Sequence, residues 1–269
     1  MPSLRANGIE LYYERRGVGR RLLFLNGSGA TTTTSAPVID QFAGTFDVAV
    51  HDQRGLGRTS VPPGPYTMDD YASDGIAVLD HLEWDTARVI GISFGGMVAQ
   101  ELAVTWPARV ERLALLCTSP GGEGGASYPL HELADLPTDE RVTMSLQLLD
   151  SRFDADWFAR HPADRALVEA LGARWSAPKG EEQRRGEAEQ LGARRGHDVW
   201  DRLDRVTAPT LVACGRYDGI APPANGEAIA KRIPDAELRV YEGGHAFLAQ
   251  DPRAVPEIVE FLSHPETET

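Results

Sequence analysis

The sequence predicts an α/β fold in which a mostly parallel sheet carries helices on both faces. Short apolar runs alternate with helix-like segments along most of the chain, an order that is typical of βαβ units. The apolar runs are unbroken, which indicates strands that are covered on both faces. A stretch without strand patterns, residues 121–204, interrupts this order, so we expect a helical insertion within the α/β core.

Seven segments fit the pattern of a strand. The first, Ile9–Arg15, alternates apolar and polar residues and is predicted to begin the sheet as an antiparallel edge strand. The other six are compact apolar runs: Arg21–Asn26, Phe46–Asp52, Ala87–Ser93, Val110–Thr118, Pro209–Gly215 and Glu237–Glu242. The helix-like stretches between them are Met68–Leu82, Gly96–Trp106 and Ala224–Arg232.

The insertion opens with a flexible glycine-rich sequence, Gly121–Gly125, and continues with polar, helix-like stretches. These stretches are His131–Asp135, Asp139–Asp150, Asp154–His161, Arg165–Trp175 and Glu181–Arg195. We therefore expect a core of residues 1–120 and 205–269, with residues 121–204 forming a helical cap over one end of the sheet. Trp157, Phe158 and Trp175 lie at helical spacing with other apolar residues, so we expect them to wall an apolar substrate pocket.

The composition excludes several classes of function. The chain has 269 residues and a net charge of −13, which argues against binding to a nucleic-acid backbone. No apolar run approaches the ~20 residues that a membrane helix needs. The segment Met1–Glu14 lacks the pattern of a secretory signal. We expect a cytoplasmic protein that acts on a small molecule, without a nucleic-acid or membrane partner, and the oligomeric state stays open.

The sequence gives no indication of a metal or a cofactor. Cys117 and Cys214 are two separate thiols without CxxC spacing, and we interpret them as buried residues in a reducing compartment. No glycine-rich loop has the G-x-G-x-x-G pattern between a strand and a helix that a dinucleotide site requires. We therefore expect neither a metal nor a cofactor.

The segment Gly91–Gly95 matches G-x-S-x-G, with Ser93 at its centre. A strand-like run leads into this turn and helix-forming residues follow it. The glycines leave space where a Cβ would clash, and the helix N-terminus favours developing negative charge. These features predict that Ser93 is a nucleophile; the alternative is a glycine-rich turn that carries an incidental serine.

A serine nucleophile needs a general base within hydrogen-bond reach. Of the seven histidines, His245 fits this role best, because it follows the last predicted strand, where open α/β sheets place their chemistry. Asp218 follows the preceding predicted strand and would hold the imidazole in the reactive tautomer. The alternative for Asp218 is a turn aspartate before a glycine.

An oxyanion hole would supply the remaining part of the site. One donor should be the backbone N–H of Phe94, which directly follows the nucleophile. The second should come from the loop after the early strand, and we expect it to be the N–H of Ser28. The adjacent Asn26 and Gly27 should then border the substrate.

Five stretches together resemble motifs of the α/β-hydrolase superfamily: GISFGG around Ser93, LNGSG at Leu25–Gly29, HDQRGLGRTS at His51–Ser60, GRYDGIAPP at Gly215–Pro223 and GGHAFLAQDP at Gly243–Pro252. The chain is similar to small bacterial hydrolases that include 3-oxoadipate enol-lactonase, carboxylesterases, cofactor-free haloperoxidases and C–C bond hydrolases. The order of Ser93, Asp218 and His245 along the chain is that of the superfamily's triad.

The resemblance implies an α/β-hydrolase fold whose cap is inserted after the family's sixth strand; Val110–Thr118, the fifth of the segments named above, would take that place. It also implies that Asp52, Arg54 and Gly55 pin a loop beside the active site. One departure is Asn26, which stands where the family usually has histidine; we expect its amide to fix the loop by hydrogen bonding instead.

These observations favour a serine hydrolase that cleaves an ester or a lactone through an acyl-enzyme on Ser93. Three alternatives use the same fold: a C–C bond hydrolase of aromatic catabolism, a cofactor-free haloperoxidase or perhydrolase, and a binder of small ligands that turns over slowly. Because fold alone does not define function, turnover of short esters would separate a hydrolase from a binder.

Overall fold

The centre of the fold is an eight-stranded sheet. The structure, a computed structural model, describes residues 2–175 and 178–265, without the side chains of residues 134, 135, 138 and 173–175. The strands are β1 (Ser3–Ala6), β2 (Ile9–Arg16), β3 (Arg20–Leu25), β4 (Phe46–His51), β5 (Ala87–Ile92), β6 (Val110–Leu116), β7 (Thr210–Gly215) and β8 (Ala236–Tyr241). Their order across the sheet is β1-β2-β4-β3-β5-β6-β7-β8.

Strands β3 to β8 pair in parallel, whereas β1 and β2 are antiparallel to their neighbours. This confirms the predicted mostly parallel sheet. The expectation that Ile9–Arg15 forms the edge is wrong, because the four-residue strand Ser3–Ala6 pairs outside it. So short a strand, of which only Leu4 is buried, carries too little pattern to be recognised in the sequence.

Both faces of the sheet are covered by helices. The described helices are α1 (Ala36–Ala43), α2 (Met68–His81), α3 (Phe94–Thr105), α4 (Thr138–Leu149), α5 (Ala155–Arg160), α6 (Pro162–Trp175), α7 (Glu181–Arg195), α8 (Pro223–Arg232), α9 (Phe247–Gln250) and α10 (Ala254–Ser263). None of them, within the described part of the chain, is long and apolar enough to cross a membrane.

Successive residues of β3 illustrate how the two layers form. Leu23 and Leu25 pack in the cluster that holds α2, α3 and α8, whereas Leu22 and Phe24 pack with α1 and α10 on the other face. Because side chains alternate across a strand, an unbroken apolar run can be buried on both faces only in this three-layer arrangement.

Four helices, α4 to α7, lie between β6 and β7, and the described residues of this segment contain no strand. We call residues 121–204 the insertion. It touches the core at the C-terminal ends of the strands: the main-chain carbonyl of Leu148, in α4, accepts a hydrogen bond from Gly219 N, in the loop after β7, at 3.0 Å.

The chain order of the strands reverses beside β3, since β4 lies on one side of it and β5 on the other. In open α/β sheets, such a reversal opens a crevice at the carboxyl ends of the two strands that flank it. The loop after β3 and the turn after β5 therefore meet where ligands bind in this class of fold.

Candidate active site

Ser93 lies in the turn between β5 and α3, in a backbone conformation that non-glycine residues rarely adopt. Its φ is 55° and its ψ is −114°. Two hydrogen bonds from the end of β6 hold it there: Ser93 N donates to Leu116 O at 2.8 Å, and Thr118 Oγ1 donates to Ser93 O at 2.8 Å. A strained residue persists only where its surroundings fix it, and strain of this kind is concentrated at functional sites.

Gly95, the last residue of the G-x-S-x-G segment, allows α3 to lie directly on the loop that follows β3. A Cβ atom on Gly95 would lie 2.1 Å from the carbonyl oxygen of Leu25 and 2.6 Å from that of Asn26. On the other side of the loop, a Cβ on Gly27 would lie 3.7 Å from the Cβ of Ser93. Both contacts place the loop after β3 beside the serine.

The structure brings Ser93, His245 and Asp218 together from the ends of three different strands. The Oγ of Ser93 lies 2.9 Å from Nε2 of His245, and Nδ1 of His245 lies 2.7 Å from Oδ2 of Asp218. If Nδ1 carries its proton toward the carboxylate, Nε2 is left as an acceptor for the proton of the serine hydroxyl. In this arrangement the ring can accept the serine proton, and the role of Ser93 as a nucleophile stays a prediction.

Asp218 is buried, and all its contacts favour a fixed carboxylate. Oδ1 accepts hydrogen bonds from the main-chain N–H groups of Ile220 at 2.8 Å and Ala221 at 2.9 Å, which leaves Oδ2 for the imidazole. The histidine is held in addition through its main chain, because His245 N donates to Leu149 O, in α4, at 2.6 Å. The insertion thus contacts the loop that carries the base.

The two N–H groups expected to form the oxyanion hole are free. Neither Ser28 N nor Phe94 N donates a hydrogen bond to another residue in the described part of the chain. Phe94 N belongs to the first turn of α3, where main-chain donors lack partners within the helix. The role of both groups in catalysis stays a prediction.

The expectation that the amide of Asn26 fixes this loop is wrong. Its side chain is buried, and neither Nδ2 nor Oδ1 has a hydrogen-bond partner among the described residues. The loop is held through its main chain instead: Gln53 Nε2 donates to Asn26 O at 3.0 Å. Gln190, in α7, accepts from Gly29 N at 2.8 Å and donates to Gln53 Oε1 at 2.7 Å.

Gln53 and Gln190 are residues that the sequence reasoning missed. Together they bind the main chain on both sides of Ser28, and both are 1% exposed. Gln53 lies inside the HDQRG stretch, and its place in this motif indicated a structural role near the site. Nothing in the motif indicated which residue it would bind. Gln190 stands in a polar helix of the insertion, where no sequence pattern distinguishes it from its neighbours.

The loop after β4 is pinned by two acidic residues. Asp52 accepts hydrogen bonds from Thr32 N at 2.7 Å and Arg58 N at 2.9 Å, while Arg54 binds both carboxylate oxygens of Asp74 at 2.8 Å. These contacts orient the segment that carries Gln53, and they agree with the structural role that the family resemblance implied.

The aromatic residues expected to wall a pocket pack in a small apolar cluster of the insertion. Trp157 and Phe158 adjoin the buried residues Leu148, Leu149, Phe153 and Ile220. Trp157 Nε1 also donates to Asp164 Oδ2 at 2.7 Å. The side chain of Trp175 lies outside the described part of the chain. Since Ile220 belongs to the Asp218 loop, this cluster lies next to the candidate site, and contact of its aromatic residues with a substrate stays a prediction.

Within the described part of the chain, Cys117 is the neighbour of the site that could suggest a metal. Its thiol lies with His245 and Asp218 in a group whose candidate ligand atoms are all within 4.8 Å of one another. Burial raises the pKa of Cys117 well above its ordinary value, and burial raises the pKa of Cys214 to about 12. Protonated thiols bind metals poorly. The candidate ligand atoms of His245 and Asp218 already form hydrogen bonds with each other and with Ser93.

A profile of the alpha/beta hydrolase fold family matches residues 20–252. The chain is 29% identical over 260 residues to 3-oxoadipate enol-lactonase 2 of Acinetobacter baylyi, an alignment that covers 96% of this chain and 94% of the relative. It is 30% identical over 244 residues to a poly(3-hydroxyalkanoate) depolymerase of Ectopseudomonas oleovorans, which covers 90% of this chain and 83% of the relative.

Among solved structures, Est816, an N-acyl homoserine lactone degrading enzyme, superimposes with a TM-score of 0.79 at 28% identity. The match covers 96% of this chain and 99% of that one. The fold, the profile and the relatives agree over nearly the whole length. The chain belongs to the α/β hydrolase fold family.

Proposed function

We propose that this protein hydrolyses a carboxylic ester or a lactone through an acyl-enzyme formed on Ser93. The observation that carries the proposal is the pair of contacts around His245, with Ser93 Oγ at 2.9 Å from Nε2 and Asp218 Oδ2 at 2.7 Å from Nδ1. Two of the similar proteins are named for action on lactones, which supports this substrate class.

In the first step, His245 accepts the proton of Ser93 as the hydroxyl oxygen attacks the substrate carbonyl. Asp218 keeps the imidazole in the tautomer that can accept this proton and stabilises the imidazolium that forms. The N–H groups of Ser28 and Phe94 donate to the oxyanion, and each such donor typically accelerates the reaction by ~10²–10³. The imidazolium then protonates the leaving alcohol.

In the second step, His245 activates a water molecule that attacks the acyl-enzyme. The same two N–H groups stabilise the second tetrahedral intermediate, which collapses to free acid and regenerates the Ser93 hydroxyl. We propose that residues 121–204 act as a cap that shields the acyl-enzyme and shapes the pocket, a role supported by the hydrogen bonds of Leu148 and Leu149 to the loops of Asp218 and His245.

Labelling by a fluorophosphonate probe and turnover of 4-nitrophenyl esters test this proposal. The probe should label Ser93, and Ser93→Ala should abolish labelling and lower kcat by at least ~10⁴, since loss of a nucleophile removes the acyl-enzyme route. Ser3→Ala, at an exposed serine of β1, is the matched control and should keep full activity. Labelling of another serine in an active sample would contradict the assignment.

A further inference from the structure

Arg194, near the end of α7, has a guanidinium group that is buried without a carboxylate. The residue is 7% exposed. Its Nη1 donates to the main-chain oxygen of Tyr128 at 3.0 Å, but Nε and Nη2 have no hydrogen-bond partner among the described residues. Burial of a cation is costly unless its donors are satisfied, so these unused groups call for a ligand.

The unused atoms form the edge with which other arginines of this chain bind carboxylates. Arg54 binds both oxygens of Asp74 through Nε and Nη2, each at 2.8 Å, and Arg15 binds Asp47 through the same two atoms at 2.7 and 2.6 Å. A guanidinium edge of this kind matches the spacing of two carboxylate oxygens. Arg194 therefore has the donors of a carboxylate site, and no acidic side chain in the described part of the chain fills it.

Arg194 lines a cavity of about 210 Å³ between α3 and the insertion. Met97, one helical turn after Ser93, lines the same cavity, as do Ser119, Tyr128, Leu191 and His197. Among the side chains that the structure describes, no aspartate or glutamate lines it.

The charges around this cavity favour an anion. Burial lowers the pKa of Arg194 to about 10, partly offset by attraction to Asp218, so the guanidinium stays protonated at neutral pH. Burial lowers the pKa of His197 to about 4, so its ring is neutral there. The protein as a whole has a net charge of −13, which repels anions at long range. An anionic ligand would therefore be attracted by the cationic groups of the cavity itself.

We propose that this cavity binds a carboxylate group of the substrate through the guanidinium of Arg194, which turns its unused Nε and Nη2 toward the ligand, so that the enzyme prefers esters or lactones that carry a free carboxylate. The inference rests on the proposed function, because it names the substrate class of the site that contains Ser93. Arg194 is then a residue that determines the specificity for the substrate.

The test compares a neutral ester with two carboxylate-bearing esters of similar size. The neutral probe is 4-nitrophenyl pentanoate; mono-4-nitrophenyl glutarate carries the carboxylate on the acyl part, and 4-carboxyphenyl pentanoate carries it on the alcohol part. For Arg194→Met, we expect the ratio of kcat/KM between an anionic and the neutral ester to fall about 100-fold. Because this ratio is taken within one protein sample, it is independent of the folded fraction.

Two further variants make the result specific. Arg184→Met removes the same charge from an exposed position on α7 and should leave the ratio unchanged. Arg194→Lys keeps the charge but loses the planar edge, so it should recover only part of the preference. An unchanged ratio in Arg194→Met for both anionic esters would overturn the inference while leaving the proposed function intact.

A binding measurement separates this inference from a failure of the proposed function. If wild-type protein hydrolyses none of the three esters, the proposed function fails, and calorimetry with monomethyl glutarate decides the carboxylate site alone. Binding to wild-type protein that is lost in Arg194→Met supports the site. Equal binding to both proteins, or no binding to either, overturns it.

Discussion

Gln190 of the insertion donates a hydrogen bond to the side chain of Gln53 of the core at 2.7 Å. The pair extends to both sides of Ser28, since Gln53 donates to Asn26 O and Gln190 accepts from Gly29 N. Every atom in these three hydrogen bonds belongs to the main chain or to a side-chain amide. None of these groups titrates, so the geometry is independent of pH. The insertion therefore helps to set the position of the loop that would supply an oxyanion donor.

Gln190→Leu should lower kcat about 10-fold or more and change KM little. The substitution removes the hydrogen bond from Gly29 N, in the Ser28 loop, and the hydrogen bond to Gln53, which holds the same loop. A displaced oxyanion donor weakens binding of the transition state more than that of the ground state. Gln183→Leu, at an exposed glutamine of the same helix, is the matched control. Steady-state kinetics of both variants would contradict this role if kcat fell equally in the two proteins.

The turn around Ser93 and its contact with His245 and Asp218 could be predicted from the sequence, because the causes are local. The glycines around Ser93 determine the turn within a few residues, and the carboxyl ends of parallel strands bring Asp218 and His245 to the same edge. These features depend on which residues follow which strand, and apolar runs reveal the strands.

The support of the oxyanion loop could not be predicted in this way. Gln53 and Gln190 are 137 positions apart, and their contact depends on how α7 folds back onto the core. The same is true of Arg194, whose polar helix gives no sign that this one arginine is buried. The expectation for Asn26 was wrong for a related reason. The sequence shows that its side chain can form hydrogen bonds, but not whether a partner lies within reach.

Asp218→Asn should lower kcat by up to ~10⁴ while leaving the fold intact. An asparagine oxygen can still accept from Ile220 N and Ala221 N, which turns the amide NH₂ toward Nδ1 of His245. The ring must then accept at Nδ1 and carry its proton on Nε2, where it can no longer take the proton of Ser93. Steady-state kinetics should compare this variant with Asp204→Asn, a control at an exposed site. Near-full activity of Asp218→Asn would mean that another residue is the acid of the triad.

Asp251 stabilises the loop that carries His245, and this contribution should depend on pH. Its Oδ2 accepts from Glu242 N at 2.9 Å, and hydrogen bonds from Arg253 lower the pKa of Asp251 to about 2, against the opposing effect of burial. A folded-state pKa below the unfolded value of about 3.9 stabilises the protein above pH ~4, and this stability is lost as the pH falls toward ~2.

Asp251→Asn should therefore reduce the free energy of unfolding at pH 7 by about 1 kcal/mol, a figure reduced for screening because Arg253 is exposed. The difference from wild type should shrink between pH 4 and pH 2, as the native carboxylate becomes protonated. Urea unfolding at several pH values measures it. A difference that stays constant across this range would mean that the charge of Asp251 has no part in the effect.

Trp157→Ala and Phe158→Ala should change the preference of the enzyme among ester chain lengths. Both side chains adjoin the cluster of Leu148, Leu149 and Ile220, and the carbonyl of Leu149 accepts the hydrogen bond from His245 N. A cavity opened in this cluster would enlarge or reshape the space next to the nucleophile, so that longer acyl groups gain relative to acetate.

The measurement is kcat/KM for 4-nitrophenyl esters from acetate to octanoate, with labelling of Ser93 by a small fluorophosphonate to show that the catalytic groups remain intact. Val142→Ala, at an apolar residue of α4 that is 54% exposed, is the matched control and should leave the chain-length profile unchanged. Trp175→Ala belongs to the same series. If each of these substitutions lowers the midpoint of thermal unfolding but none moves the profile, the aromatic residues only pack the insertion, and selection of the acyl group must come from the loops around Gly27 and Asp218.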